Sequence, residues 1–234
     1  MPNRQTTDNI MTKIARFTFN HFGTNCYIVW DEGGEALIVD PSCTSDAERK
    51  RLTDFIAEHS LSPVAVILTH AHPDHMGGVE FVKTNYNIPL ALHSGDKELL
   101  AVAPAYGASM GFNIPSLVAE IDLAEQTAIR FGNSTAEIIA TPGHSKGGVC
   151  IYIAEAGILI SGDTLFAGSI GRTDLPGGDY DELMRSIMEK LLPLGGGVNV
   201  YPGHGGDTTL GEEMGSNPFI GEVLDGGFNK DTTL

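Results

Sequence analysis

The sequence predicts an α/β (α+β) domain of two β-sheets packed face to face with helices outside, and three observations carry that prediction. Both halves of the chain run in short strands before giving way to a helix. Gly, Asn and Asp punctuate the strand-like runs, which is turn chemistry. No Gly/Ser-rich linker or charge block divides the 234 residues, so the expectation is one domain, 1–234.

Ile14 to Asn20 alternates apolar and polar residues, and Cys26 to Trp30 is apolar, with Gly23-Thr24-Asn25 between them. Ala36 to Val39 follows the turn Asp31-Glu32-Gly33-Gly34 and completes a meander that Asp40-Pro41 ends. Ser45 or Asp46 can cap a helix running to about His59, with Leu52, Phe55 and Ile56 on one face. Val64 to Leu68, bounded by Pro63, reads as a buried strand. After the loop that ends it come a helix from about Gly78 to Asn85, a short strand from Pro89 to Leu92 and a helical piece around Gly95 to Val102. Ala103 to Pro115 is rich in Ala, Gly and Pro, carries Tyr106, Met110 and Phe112, and reads as a long irregular segment; such loops are usually functional or mobile.

In the second half, Ala128 to Phe131 and Ala136 to Ala140 form strands about an Asn133-Ser134 turn. Val149 to Ile153 and Gly157 to Ser161 make a hairpin-like pair. Asp179 to Leu192 is the best amphipathic helix, with Leu183, Ile187 and Leu191 in register, and Val198 to Tyr201 is the final strand.

Composition excludes some functions. A formal charge of −16, from 30 acidic against 14 basic residues, leaves no basic run to displace counterions from nucleic acid. An anionic small molecule remains possible, since one local cation can hold it. Cys26, Cys43 and Cys150 are odd in number, far apart and without a C-x-x-C, so neither a disulfide framework nor a thiol metal site is signalled, and a reducing cytoplasm is the expected compartment. Met1 to Ile10 is polar and no apolar run approaches a membrane span, which argues against an export signal or a membrane anchor. Nothing in the sequence reports the oligomeric state.

The chemistry concentrates in Thr69-His70-Ala71-His72-Pro73-Asp74-His75-Met76-Gly77-Gly78. Three imidazoles and a carboxylate within six residues, just where a strand ends, do not suit a packed core; they are nitrogen and oxygen ligands for zinc-like metals. Pro73 biases His72 away from helical geometry, so the segment is expected to be an ordered loop. Three further turns share its character: Thr141-Pro142-Gly143-His144-Ser145, Ser161-Gly162-Asp163-Thr164 and Tyr201-Pro202-Gly203-His204-Gly205. Alone, Asp163 could simply cap a turn. Together the four turns supply five histidines and two aspartates at strand ends, where ligands from one sheet edge can converge. His21, His59 and His93 lack this context.

The pattern His70-x-His72-x-Asp74-His75, followed by His144, Asp163 and His204, resembles the metallo-β-lactamase superfamily over roughly Phe17 to Phe219. The resemblance implies a four-layer αββα sandwich. It also implies two divalent metal ions, zinc first with iron or manganese possible. His70, His72 and His144 would hold one ion, Asp74, His75 and His204 the other, and Asp163 would bridge them. Within the superfamily, Gly162 to Phe166 and Gly168 to Asp179 are similar to glyoxalase II (hydroxyacylglutathione hydrolase) and its short single-domain bacterial relatives. Two departures stand out. Thirty residues follow His204 (234 − 204), too few for a helical glutathione-binding domain, and Arg172 and Asp174 stand where full-length enzymes place a lysine and a tyrosine.

Two divalent ions roughly 3.5–4 Å apart can share a water and lower its pKa to about 7. Asp74 lies where it can orient that nucleophile or take its proton, and so is expected to be catalytic. A thiolate, with a conjugate acid of pKa about 8.5, leaves without a general acid, which favours a thioester over an amide. The expected substrate is an anionic thioester, with Arg172 either clamping its carboxylate through two parallel hydrogen bonds or pairing with Asp174 or Asp179 to order its own loop. The alternatives are a mononuclear iron persulfide dioxygenase, whose relatives also carry Gly-Arg-Thr-Asp, a lactonase or other ester hydrolase, and a non-catalytic metal-binding module.

Overall fold

A computed structural model of the chain describes residues 12–226. The polar stretch Met1 to Ile10 therefore lies outside the described residues. The chain begins with β1 (Lys13–Phe19), β2 (Thr24–Trp30) and β3 (Glu35–Val39), an antiparallel meander. Next come α1 (Asp46–Glu58), β4 (Ser62–Ile67), α2 (Pro73–Met76), α3 (Val79–Tyr86), β5 (Leu90–Leu92), α4 (Lys97–Ser109) and β6 (Ile121–Asp122). The first sheet has the order β1-β2-β3-β4-β5-β6, with β3 to β6 parallel.

The second half contains β7 (Ala128–Phe131), β8 (Ser134–Ala140), β9 (Val149–Ile153), β10 (Ile158–Gly162) and a small ribbon of β11 (Leu165–Phe166) and β12 (Ser169–Ile170). It continues with α5 (Tyr180–Ser186), β13 (Asn199–Pro202), β14 (Thr208–Thr209), α6 (Leu210–Ser216) and α7 (Pro218–Gly226). The second sheet runs β14-β13-β10-β9-β8-β7, antiparallel except where β10 meets β13.

The layers follow from strand alternation. Along β2, Cys26, Ile28 and Trp30 point to the helices α1 to α4, whereas Tyr27 and Val29 point to the other sheet. Val149, Ile151, Ile158 and Ile160 meet them from the second sheet, while Cys150 and Leu159 face Leu183, Ile187, Leu191 and Leu210 on its far side. Three apolar interfaces between four layers make an αββα sandwich. Among the described residues, no helix is long and apolar enough to cross a membrane.

Ser45 caps α1 as expected, in a reciprocal capping box with Glu48. Two expectations require correction. The stretch after β4 does not stay a loop: His72 keeps extended geometry, but it serves as the N-cap of a single helical turn with Pro73 at its first position, where a missing N–H costs nothing. Nor is Ala103 to Pro115 irregular throughout, because α4 continues to Ser109 with Pro104 inside it. The amphipathic stripe of Leu183, Ile187 and Leu191 is buried as expected, although the helix changes at Ile187 from α to one π turn.

Candidate metal centre

The four polar turns meet at one edge of the sandwich. Because β10 and β13 are parallel, Asp163 and His204 leave the second sheet on the same side. Backbone hydrogen bonds tie this edge together: Val149 N–H donates to Thr69 C=O at 2.9 Å, and Gly203 N–H to Gly162 C=O at 2.8 Å. From the first sheet, Tyr27 Oη and Asn25 Nδ2 both donate to Pro202 C=O, at 2.7 and 2.9 Å. Glycine is required at position 203, since a Cβ there would lie 2.1 Å from Asp163 Oδ1 and 2.8 Å from His75 Cε1.

All seven residues predicted from the sequence converge. Ligand atoms of His70, His72 and His144 lie within 4.8 Å of one another, as do those of Asp74, His75 and His204. Asp163 lies between the triads, with Oδ1 3.4 Å from His75 Nε2 and Oδ2 3.6 Å from both His144 Nε2 and His204 Nε2. His70, His72, Asp74, His75 and His144 are buried, and the side chain of His204 is 28% exposed.

Residues around the seven set which ring nitrogens face the centre. Asp40 accepts hydrogen bonds from Thr69 N–H at 2.8 Å, Thr69 Oγ1 at 2.7 Å and His75 Nδ1 at 2.9 Å. With its hydroxyl proton given to Asp40, Thr69 Oγ1 can only accept from His70 Nδ1, 3.0 Å away. His144 Nδ1 donates to the carbonyl of Arg172 at 2.8 Å. Three rings are thereby left presenting Nε2 to the centre. Thr24 Oγ1 donates to Asp74 Oδ2 at 3.0 Å, and Asn20 Nδ2 to the Asp74 carbonyl at 2.9 Å. On the opposite side, Asp96 is fully buried and accepts from Ala71 N–H, Ser145 Oγ and Gly147 N–H at 2.9, 2.9 and 2.6 Å, joining the two loops that carry His70, His72 and His144.

None of these supports was read from the sequence, and apart from Thr69, which adjoins His70, each partner is distant along the chain. The one available signal was Asp40, an acid ending a strand beside the strand that leads to His70, with a left-handed φ of 48°.

The charges divide by location. Burial, followed by repulsion from neighbouring imidazoles, holds the His70 pKa well below its ordinary value and pulls His72 down to about 4. Burial also disfavours a charged His75, but Asp74, Asp163 and Asp40 outweigh it and hold its pKa well above the usual imidazole range. Asp74 shows the reverse balance: burial raises its pKa, and His75 and His204 more than offset that.

Divalent cations fit this donor set. His70 Nε2, His75 Nε2 and Asp163 Oδ1 are buried without a hydrogen-bond partner, a costly state for polar atoms that a cation relieves.

Arg172 lies in the wall of a cavity of about 370 Å³ over the centre, together with Phe22, Tyr106, Met110, Phe166 and Leu175. Of the two expectations for Arg172, the structure shows the pairing within its own loop. Nε and Nη2 each donate at 2.8 Å to Asp174, two residues along the same loop, and this pairing holds the Asp174 carboxyl at about 2.

Comparison with known proteins agrees with this geometry. Residues 20–204 match the family model described as the metallo-beta-lactamase superfamily. The chain is 35% identical to the hydroxyacylglutathione hydrolase GloC of Haemophilus influenzae over 202 residues, covering 85% of this chain and 93% of that protein. Among solved structures, BLEG-1 B3 metallo-beta-lactamase superposes with a TM-score of 0.81 at 38% identity, over 89% of this chain and 99% of its own. TTHA1623, solved in a di-iron-bound form, superposes with a TM-score of 0.77 at 35% identity, over 88% of this chain and 99% of its own. The chain belongs to the metallo-beta-lactamase superfamily of metal-dependent hydrolases.

Proposed function

We propose that this single domain is a dinuclear hydrolase that cleaves a thioester. One observation carries the reading: two ligand triads converge with Asp163 between them, and three of their buried atoms lack any hydrogen-bond partner. His70, His72 and His144 would hold one divalent ion, Asp74, His75 and His204 the second, and Asp163 would contact both. Such a pair supplies a nucleophilic water at neutral pH and polarises the scissile carbonyl.

The chain's own groups supply the rest. Asp74 takes up the proton released as water attacks, and the hydrogen bond from Thr24 fixes the orientation of its carboxylate. Phe22, Tyr106, Met110, Phe166 and Leu175 keep bulk water from the substrate side. Among the described residues lining the cavity, no carboxyl or lysine outside the ligand set stands ready to protonate a leaving group. A thiolate does not need that proton, whereas an amine does. Likeness to GloC, a hydroxyacylglutathione hydrolase, supports the same substrate class.

Zinc is the proposed metal, with iron as its competitor because TTHA1623 was solved with two irons. All three cysteines are free and buried, in keeping with a reducing cytoplasm. The likeness to BLEG-1 favours a second reading, β-lactam hydrolysis. Metal analysis of the purified protein, followed by a thioester, lactone and β-lactam panel with oxygen consumption monitored, tests both. Two metals per chain and turnover of thioesters above the other esters are expected. One iron with oxygen uptake, or β-lactam turnover alone, would overturn the proposal.

A further inference from the structure

A second cavity, of about 310 Å³, lies beside the one over the metal centre. The two share their walls. Leu99, Val102, Tyr106 and Met110 fall at helical spacing on one face of α4; the first two line the second cavity and the last two the first. The opposite wall is the loop after β12, where Arg172 and Leu175 line the first cavity and Pro176 and Gly177 the second. The cavities therefore form one groove along α4, about 16 Å long at 1.5 Å per residue from Leu99 to Met110.

Lys146 lines the second cavity, beside Gly177 of the opposite loop. Its backbone is fixed on both sides, because Ser145 Oγ and Gly147 N–H are bound by the buried Asp96. Its carbonyl packs against Gly95 so closely that a Cβ there would be 2.6 Å away. The ammonium is less constrained, as its side chain is 65% exposed and its ion-pair partner Glu98 is 4.0 Å away and 91% exposed. Exposed pairs at that distance hold a cation weakly. Two carboxylates also line the cavity: the oxygens of Asp96 are engaged by Ala71, Ser145 and Gly147, and Glu98 is the exposed partner of Lys146. With the Arg172 fork closed on Asp174, Lys146, held by Glu98 at 4.0 Å, is the lysine or arginine among the described groove-lining residues least committed to a partner.

We propose that the groove binds the thiol-carrier arm of the thioester and that Lys146 receives an anionic group at the arm's far end. The inference rests on the thioester reading and names the part of the substrate that departs as thiolate. A peptide-like thiol ending in carboxylates and a pantetheine-like thiol ending in phosphate share this chemistry.

The test compares wild type with Lys146→Ala, Lys146→Glu and Lys146→Arg on one acyl group carried by N-acetylcysteamine, glutathione or coenzyme A. Lys146→Ala should lower kcat/KM for at least one charged carrier relative to the neutral one by about 5- to 10-fold, through KM, as removal of a charge-assisted contact does. Lys146→Glu should lower the ratio further, and Lys146→Arg should restore it. Calorimetry with S-hexylglutathione and S-hexyl-coenzyme A should show the same order in binding, and the carrier that responds identifies the source of the anion. Unchanged ratios with both charged carriers would overturn the proposal while leaving the thioester reading intact. Failure of the wild type to cleave any of the three thioesters would remove both.

Discussion

His70, His72 and His144 offer three ring nitrogens and no carboxylate, whereas Asp74, His75 and His204 include a carboxylate and a ring that is 28% exposed. Their supports differ too. The loops carrying the first triad are joined by Asp96, and the second leans on Asp40, Thr24 and Asn20. An all-imidazole, buried set would suit an ion held in place. A charged, more open set suits the place where a proton is moved. Asp40 complicates the division, since it orients His75 directly and His70 through Thr69.

The sharpest way to break the comparison is Asp74→Asn, which keeps size and one oxygen but removes the charge. We expect kcat to fall at least about 10²-fold, even with two metals confirmed by metal analysis. Near-normal turnover in the fully loaded variant would show that the second triad only ligates.

Asp40→Ala should act on both triads. Losing the acceptor for Thr69 and His75 should weaken metal affinity about 10- to 100-fold, as loss of outer-shell partners typically does. Metal titration resolves the two sites; weakening confined to one would restrict Asp40 to that triad.

Arg172→Ala should have a smaller effect. With its fork on Asp174, KM for an anionic thioester should change by less than about 3-fold, since an exposed ion pair contributes little. A large, charge-selective rise in KM would show that the fork opens to substrate.

The smallest effect concerns pH. Backbone N–H groups of Asn20, Thr44 and Ser45 donate to Glu48 and hold its pKa at about 2 instead of 4.5, against the effect of burial. The folded value is depressed, so Glu48 contributes stability above 4.5 that is lost as pH falls toward 2. Denaturation of metal-free protein should show Glu48→Gln less stable near neutrality, with the gap closing in acid. A gap independent of pH would assign the loss to packing.

All seven candidate ligand positions were legible because each is a polar residue just past the end of a strand, a pattern local enough to see in one sequence. Their supports were not. Asp40 lies 29 residues from Thr69, and Asp96 is 25 from Ala71 and 49 from Ser145, so sheet topology alone brings them together. Pro104 misled by its ordinary role. A proline inside a helix typically costs about 3 kcal/mol, yet α4 continues through it because Leu100, Ala103 and Gly107 are buried against the domain. The short strands β6, β11, β12 and β14 have two residues each, too few for any periodicity to register.

The placement of the ligands on four turns of both sheets has a consequence for biogenesis. Asp74 and His75 follow β4 whereas His204 follows β13, so no nascent or truncated chain lacking β13 can bring the second triad together. Metal cannot template early folding here, as it does in small zinc modules whose ligands are neighbours in sequence. It arrives at a finished scaffold and then raises the cost of unfolding by mass action.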